Sequence, residues 1–188
     1  MRGNHIAGLL LSAAALSACT GNAKTPPVSD HWTKTDKTSK LDDTPGVEFS
    51  TDAKEGNEFG LPATLMIGCE GGKSYIYVDP HVLDGVIRYD TISADGRIGF
   101  KNITWRLDKQ PAAPVEVQLG SEMKTFGWWG NREASATARK LAPVKSLVLH
   151  YDVISTGMAI STFEYSFDIS GLDSKMAELS RTCKWPAA

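Results

Sequence analysis

The sequence contains few side chains whose types and spacing could support catalysis. His150 and Asp152 fall on the same face of a predicted strand, where a carboxylate could orient an imidazole, but no activated serine or cysteine lies near them in the sequence. Asp42 and Asp43 form a carboxylate pair without a further group to act as its acid or base partner, so a role in a turn is favoured. No group of His, Cys, Asp or Glu residues has metal-site spacing. We therefore expect a non-catalytic protein without a metal or cofactor.

The clearest chemistry belongs to Cys19, which ends an apolar run. Residues 6–16 follow Arg2 and are almost entirely apolar. The run is shorter than the about 20 residues that a membrane-spanning helix needs, and it has the size of a signal-peptide core. It ends in the letters LSAC, which resemble the lipobox of bacterial lipoproteins. The resemblance implies that the Cys19 thiol receives a lipid and that the peptide is cut before it.

These features predict a simple domain organisation. Residues 1–18 are a lipoprotein signal peptide, residues 19–30 are a polar tether with two prolines, and residues 31–188 are a single β-rich domain. Thr20 follows the lipidated cysteine where an aspartate would favour the inner membrane, so we expect an outer-membrane anchor with the domain facing the periplasm. Several acyl chains make such anchoring stable.

Charge and cysteine usage restrict the partners and the compartment. The net charge is −2 and no basic stripe with interleaved aromatic residues is visible, so nucleic acid is not expected as a partner. With Cys19 lipidated, Cys69 and Cys183 remain of the three cysteines. In an exported domain such a pair predicts one disulfide bond, and two buried free thiols are the alternative.

Alternation of apolar and polar residues dominates the chain after Trp32. The stretch ATLMIGC places Leu65, Ile67 and Cys69 on one face, and an EGG turn joins it to KSYIYV as a predicted hairpin. GVIRYD, residues 85–90, is predicted as a further strand, and SLVLHYDVI and TFEYSFDI also alternate. The fold class is therefore mainly β, an antiparallel β-sandwich or sheet domain with a C-terminal α-helix packed on it.

The closing segment is predicted to be that helix. Ser170 is a candidate N-cap, with Asp173 three residues further in the capping-box position. A single apolar stripe follows at helical spacing, formed by Leu172, Met176, Leu179 and Cys183. Because Cys183 then faces the sheet and Cys69 lies on the apolar face of its strand, the two thiols are expected to meet.

Trp128 and Trp129 are the candidate partner-binding residues. Neighbours in an extended chain point to opposite sides, so we expect one to be buried and the other to contribute to a surface for a protein partner. The alternative is that one lies in the core and the other covers a sheet edge. A modest helix is predicted to follow, with Asn131 as its N-cap and Pro143 at its end.

Several motifs resemble the VasI family of type VI secretion-associated proteins. They are Trp32 before S-x-x-D-D-x-x-x-V (Ser39, Asp42, Asp43, Val47), a cysteine strand (Cys69), R-x-D (Arg88, Asp90), and a closing F-D-x-x-G-L with C-x-W (Phe167, Asp168, Gly171, Leu172, Cys183, Trp185). The region between residues 110 and 143 departs from the pattern. The resemblance implies an exported accessory protein without known catalysis. Together with the lipid anchor expected at Cys19, it predicts a membrane-anchored protein with a protein partner in the envelope, such as the secretion machinery. The alternatives are a lipoprotein inhibitor of a cell-wall hydrolase, similar in design to lysozyme inhibitors, or a prophage-encoded envelope protein.

Overall fold

The computed structural model describes residues 31–56, 60–81, 86–94, 99–154 and 160–186. The predicted signal peptide, Cys19 and the predicted tether therefore lie outside the described residues. The strands are β1 (Thr33–Thr38), β2 (Pro45–Gly56), β3 (Pro62–Glu70), β4 (Lys73–Asp79), β5 (Thr91–Ile92), β6 (Gly99–Leu107), β7 (Ala113–Leu119), β8 (Phe126–Trp129), β9 (Ser146–Ile154) and β10 (Ile160–Asp168). The helices are α1 (Asn131–Leu141) and α2 (Leu172–Thr182), and a short 3₁₀ turn spans Ser121–Met123.

All ten of these strands belong to one antiparallel sheet, which closes on itself. The neighbours run in the order β2, β10, β9, β6, β7, β8, β4, β3, and β3 pairs again with β2. The long strand β2 makes this closure possible, because its first half lies between β1 and β3 and its second half reaches β10 through Ala53 and Phe167. The predicted fold class, mainly β with a C-terminal helix, is confirmed.

The core lies inside the closed sheet, as the alternating pattern predicts. Along β9 the inward side chains are buried and the outward ones are exposed or half-buried, since successive residues of a strand point to opposite faces. The buried residues of this strand are Leu147, Leu149, Tyr151 and Val153. Those of β3 include Leu65, Ile67 and Cys69, so both predicted apolar faces are confirmed.

The two helices pack against each other and against different strands of the sheet. Helix α1 buries a face of small residues, Ala134, Ser135 and Ala138, which allows its backbone to lie close to β4 and β8. Helix α2 contacts β2 and β3 and buries Leu172 and Leu179. The apolar stripe predicted for the last helix is therefore the face that packs on the sheet.

A disulfide bond between Cys69 and Cys183 joins the C-terminal segment to β3, as predicted. The Cα atoms are 5.5 Å apart, within the usual range for a disulfide, and the bond closes a sequence separation of 114 residues. Both cysteines are buried. The bond therefore fixes the end of α2 to the end of β3, next to the β3–β4 turn.

Both predicted helix caps are wrong in their details. Asn131 is the first residue of α1, and its Oδ1 accepts a 2.9 Å hydrogen bond from the Ser74 backbone N–H instead of capping the helix. Helix α2 begins after Gly171, whose φ of 83° favours glycine, and no side chain caps it. Ser170 Oγ instead donates a hydrogen bond to Asp168. In each case the polar side chain forms a hydrogen bond with a group outside the helix.

The strand predicted for residues 85–90 is also wrong over its described part. Val86 forms only an isolated bridge with Ile154, and the Ile87 backbone N–H donates to the Met123 carbonyl. Ile87 itself is fully buried. The apolar residues that suggested a strand therefore belong to a loop, and among its described residues Ile87 is the buried side chain that anchors it to the core.

Candidate binding face

Trp128 and Trp129 lie side by side in β8 and point to opposite faces of the sheet. Trp128 packs against the core, and its ring centre is 5.7 Å from that of Trp105. Trp129 points outward and stacks on Tyr77 with an interplanar angle of 13°. The predicted opposite orientation is confirmed. The expectation that one of the two is buried is wrong, because both are half-buried. Trp128 is the penultimate residue of β8.

Three aromatic side chains form a continuous outer aromatic face, defined here as Tyr75, Tyr77 and Trp129. Tyr75 is the cross-strand partner of Trp129, and its ring centre is 5.4 Å from that of Tyr77. Tyr77 is paired with Gly127, where a Cβ would collide with the Ile76 carbonyl oxygen. The glycine thus permits the close approach of β8 to β4 that brings the three rings together.

Carboxylates surround the tyrosines of this face. The Tyr75 hydroxyl donates a 2.9 Å hydrogen bond to Glu48 Oε2, and Glu48 also forms a salt bridge with Lys37 at 3.2 Å. Burial and then the Glu48 hydrogen bond raise the pKa of Tyr75 far above its ordinary value. Burial, followed by the charges of Glu48, Asp79 and Glu70, raises the pKa of Tyr77. Both phenols are therefore neutral hydrogen-bonding groups at physiological pH.

A shallow cleft of about 310 Å³ opens at one end of the outer aromatic face. Its lining residues are Tyr77, Asp79, Gly120, Thr125 and Trp129. A Cβ at residue 120 would collide with Thr125 Oγ1, so the glycine leaves the space that this hydroxyl occupies. The described lining residues therefore combine aromatic surface, one carboxylate and the hydroxyls of Tyr77 and Thr125. They can bind a ligand but provide no nucleophile with an activating base.

The other sequence candidates are held in ordinary structural contacts. His150 Nδ1 lies 3.8 Å from Glu164 Oε2, while Asp152 accepts a hydrogen bond from Thr162 instead of orienting the imidazole. His150 and Asp152 are both exposed. A groove of about 350 Å³ next to His150 is lined by Thr104, Trp105, Arg106, Ala112, Val148, His150 and Glu164. Within the described ranges, no cluster of three or more His, Cys, Asp or Glu residues could hold a metal ion.

The residues of the motifs that resemble the VasI family make structural contacts within the fold. Asp42 Oδ1 accepts a hydrogen bond from the Thr44 N–H, and Asp43 has a φ of 54°, so the carboxylate pair forms the β1–β2 turn that the sequence favoured. The Trp32 indole N–H donates to the Ser170 carbonyl at 3.0 Å, which ties the start of the domain to the segment before α2. None of these motif residues lines the cleft.

Asp90 and Arg88 of the R-x-D motif differ in their environment. Asp90 Oδ2 accepts a 2.8 Å hydrogen bond from the Asn102 backbone, and its Oδ1 lies 3.5 Å from the Nζ of the mostly buried Lys101. Arg88 is exposed. Asp90 therefore holds the loop before β5 against β6.

The sequence reasoning missed Tyr75 and Tyr77. In KSYIYV both tyrosines alternate with the buried Ile76 and Val78, which places them on the outward face of β4. Two large aromatic residues on a solvent-facing row are the signal that could have marked this surface. Their association with Trp129 depends on the β4–β8 pairing, which joins segments about fifty residues apart.

No family model matches the chain, and no curated protein matches it. Among solved structures, the chain is similar to invasion associated protein B from Bartonella henselae, with 11% sequence identity and a TM-score of 0.44. The similarity covers 82% of this chain and 93% of that one. The described residues contain no helix long and apolar enough to cross a membrane. The resemblance to the VasI family therefore remains a prediction.

Proposed function

We propose that this chain is a non-catalytic binding protein of the bacterial envelope, anchored through Cys19, that holds a protein partner on the outer aromatic face. The observation that carries the proposal is the outward stacking of Trp129 on Tyr77 beside an open cleft. Tryptophan and tyrosine are enriched among residues that dominate interface energies. Three adjacent aromatic rings on a sheet exterior supply such a surface.

The face has the rigidity expected of a binding site. Tyr75 is fixed by its hydrogen bond to Glu48, and Trp129 is the last residue of a strand that leads directly into α1. Trp129 and Tyr77 also support each other by stacking. Side chains that are already ordered lose less conformational entropy when a partner binds.

The proposed context is a type VI-like secretion apparatus, with the lipid placing the domain on the periplasmic side of the outer membrane. This part of the proposal rests on the lipobox-like LSAC and on the motifs shared with the VasI family. A lipoprotein inhibitor of a cell-wall hydrolase is the alternative. A broad aromatic surface favours the accessory protein, since an inhibitor of that kind would present a polar loop to a glycosidase cleft.

Photocrosslinking in intact cells tests the proposal. A benzoylphenylalanine in place of Lys73, which is exposed on the same face of β4, should give a discrete adduct with an envelope protein. The adduct should disappear when Trp129→Ala is added. The same probe in place of Asn102, exposed on the outer side of β6, is the matched control and should give no such adduct.

The identity of the adduct decides between the two contexts. Mass spectrometry that finds a secretion-machine component supports the accessory role, and a cell-wall hydrolase supports the inhibitor. Equal adducts from the Lys73 and Asn102 positions, or an adduct that survives Trp129→Ala, would contradict a binding role for the outer aromatic face.

A further inference from the structure

We infer that the cleft beside Trp129 receives an arginine side chain of the partner protein, an inference that rests on the proposed function of the outer aromatic face. The lining residues provide two aromatic ring faces, from Tyr77 and Trp129, together with the Asp79 carboxylate and the Thr125 hydroxyl. Among the described residues that line the cleft, none is basic. The choice of arginine follows from the shape and the charge of this set.

The aromatic rings supply a flat surface for a planar cation. Tyr77 and Trp129 stack with an interplanar angle of 13° and ring centres 6.3 Å apart, so their planes are nearly parallel. We call the ring surface that this pair presents to the cleft the aromatic slab. A guanidinium group stacks on aromatic faces and is more weakly hydrated than an ammonium group, which makes arginine the better occupant of such a slab than lysine. A cation over an aromatic face is attracted by the negative charge of the ring surface.

The carboxylate gives the cleft its charge. Asp79 Oδ1 accepts a 2.8 Å hydrogen bond from the His81 backbone N–H and lies 3.6 Å from His81 Nδ1. These contacts fix the carboxylate while its side chain stays one-third exposed. Its other oxygen, Oδ2, has no donor among the described residues. A guanidinium on the slab can donate an N–H to it, and hydrogen bonds between two charged groups are the strong ones.

The surroundings reinforce the preference for a cation. The charges of Glu48, Asp79 and Glu70 all raise the pKa of the Tyr77 phenol, so these carboxylates contribute a negative potential at this lining residue. Lys37 offsets Glu48, but it lies on β1, on the far side of β2 and β3 from this cleft. A neutral sugar ring is the other ligand that could stack on the aromatic slab. Because a sugar ring is uncharged, this negative potential would not attract it.

Two-dimensional NMR of the full chain, with ¹⁵N-labelled tryptophan, tests the inference. The five tryptophans give separate indole signals, and Trp129→Phe identifies that of residue 129. The probe is acetyl-Gly-Arg-Gly-amide, and its matched control carries citrulline, which has the shape of arginine without the charge. The arginine peptide should shift the Trp129 signal saturably, with an affinity about tenfold or more above that of the citrulline peptide.

Asp79→Asn supplies the second test. Asparagine keeps an oxygen that can accept from the His81 N–H, so the loop is retained while the charge is lost. The arginine peptide should bind this variant about tenfold more weakly. Unchanged signals of Trp32, Trp105 and Trp185 will show that the fold is intact. Thr125→Val, which removes only a neutral hydroxyl, should weaken binding by much less than Asp79→Asn.

Four outcomes overturn the inference: no shift with the arginine peptide, equal affinity for the citrulline peptide, full affinity in a folded Asp79→Asn variant, or a Trp129 shift with chitotriose alone. The proposed function fails separately. If Trp129→Ala abolishes the in-cell adduct while Asp79→Asn leaves it unchanged, the face binds a protein but not through arginine. If the adduct survives Trp129→Ala, the proposed function falls whatever the peptide does.

Discussion

Cys69 and Ser74 face each other across the β3–β4 ladder, and each holds one residue of the chain's C-terminal segment. Cys69 is bonded to Cys183, and Ser74 Oγ accepts a 2.7 Å hydrogen bond from the Trp185 indole N–H. All four residues are buried. One cross-strand pair therefore fixes both the cysteine and the tryptophan of the closing C-x-W, and α2 cannot leave the sheet without breaking both contacts.

Loss of the disulfide should lower the free energy of unfolding considerably. The bond spans 114 residues, for which loop-closure entropy corresponds to about 4–5 kcal/mol. Urea unfolding of the Cys69→Ala, Cys183→Ala double variant, compared with the oxidised parent, should show this loss. The parent measured under reductant is the control for cavity effects. An unchanged midpoint would mean that the bond adds no stability.

Trp185→Phe should cost about 1–3 kcal/mol of stability, because a buried hydrogen bond is lost and the Ser74 hydroxyl is left without its donor. Ser74→Ala in the same background is the matched control. A double-mutant cycle by urea unfolding should give a clear coupling energy between the two positions. If the losses of unfolding free energy in the two single variants add up to the loss in the double variant, the hydrogen bond contributes nothing to stability.

The two adjacent tryptophans should respond differently to replacement by alanine. Trp128→Ala removes a ring packed on Trp105 and the core, so it should lower the melting temperature. Because Trp128 is only half-buried, the loss should fall below the about 3–5 kcal/mol typical of a fully buried tryptophan. Trp129→Ala should melt close to the parent. Thermal unfolding followed by circular dichroism distinguishes them, and equal melting temperatures would contradict this assignment.

The ionised Asp108 carboxylate should stabilise the fold at neutral pH, and this stabilisation should be lost in acid. Its Oδ1 accepts hydrogen bonds from the backbone N–H groups of Ser146 and Lys145, and the first of these chiefly lowers its pKa below the ordinary 3.8. This contribution is complete above the unfolded pKa of 3.8 and is lost as pH falls through the lower folded value. Asp108→Asn should therefore show a weaker acid dependence in urea unfolding at pH 6 and pH 3. Identical dependences would exclude the effect.

Cys19→Ser should abolish lipid attachment, because a hydroxyl cannot replace the thiol in thioether formation. Labelled palmitate should enter the parent but not the variant, and the variant should leave the membrane fraction or remain unprocessed. Cys69→Ser, which removes a thiol of the folded domain, is the matched control and should still be labelled. Palmitate incorporation into Cys19→Ser would refute the lipoprotein interpretation.

Local patterns in the sequence were sufficient for the buried faces of β3, β9 and the closing helix, and for the pairing of the two cysteines. The period of two along β3 and β9 and the helical stripe that includes Leu172 and Leu179 each show which face is buried. Cys69 and Cys183 lie on two such faces, so their meeting follows from packing the helix on the sheet. The buried face of each element depends on neighbouring residues alone, and periodicity reports it directly.

Strand pairing and the use of polar side chains were decided only by the tertiary structure. Periodicity does not specify which strands pair, so the sequence could not show that β2 closes the sheet or that β4 meets β8. The outer aromatic face exists only because that second pairing places Trp129 beside Tyr75. Asn131 likewise was predicted as a local helix cap. Its Oδ1 instead accepts a hydrogen bond from the backbone N–H of Ser74, 57 residues away, because folding brings that group within reach. Contacts between distant residues depend on the packing of the whole chain, which local composition does not encode.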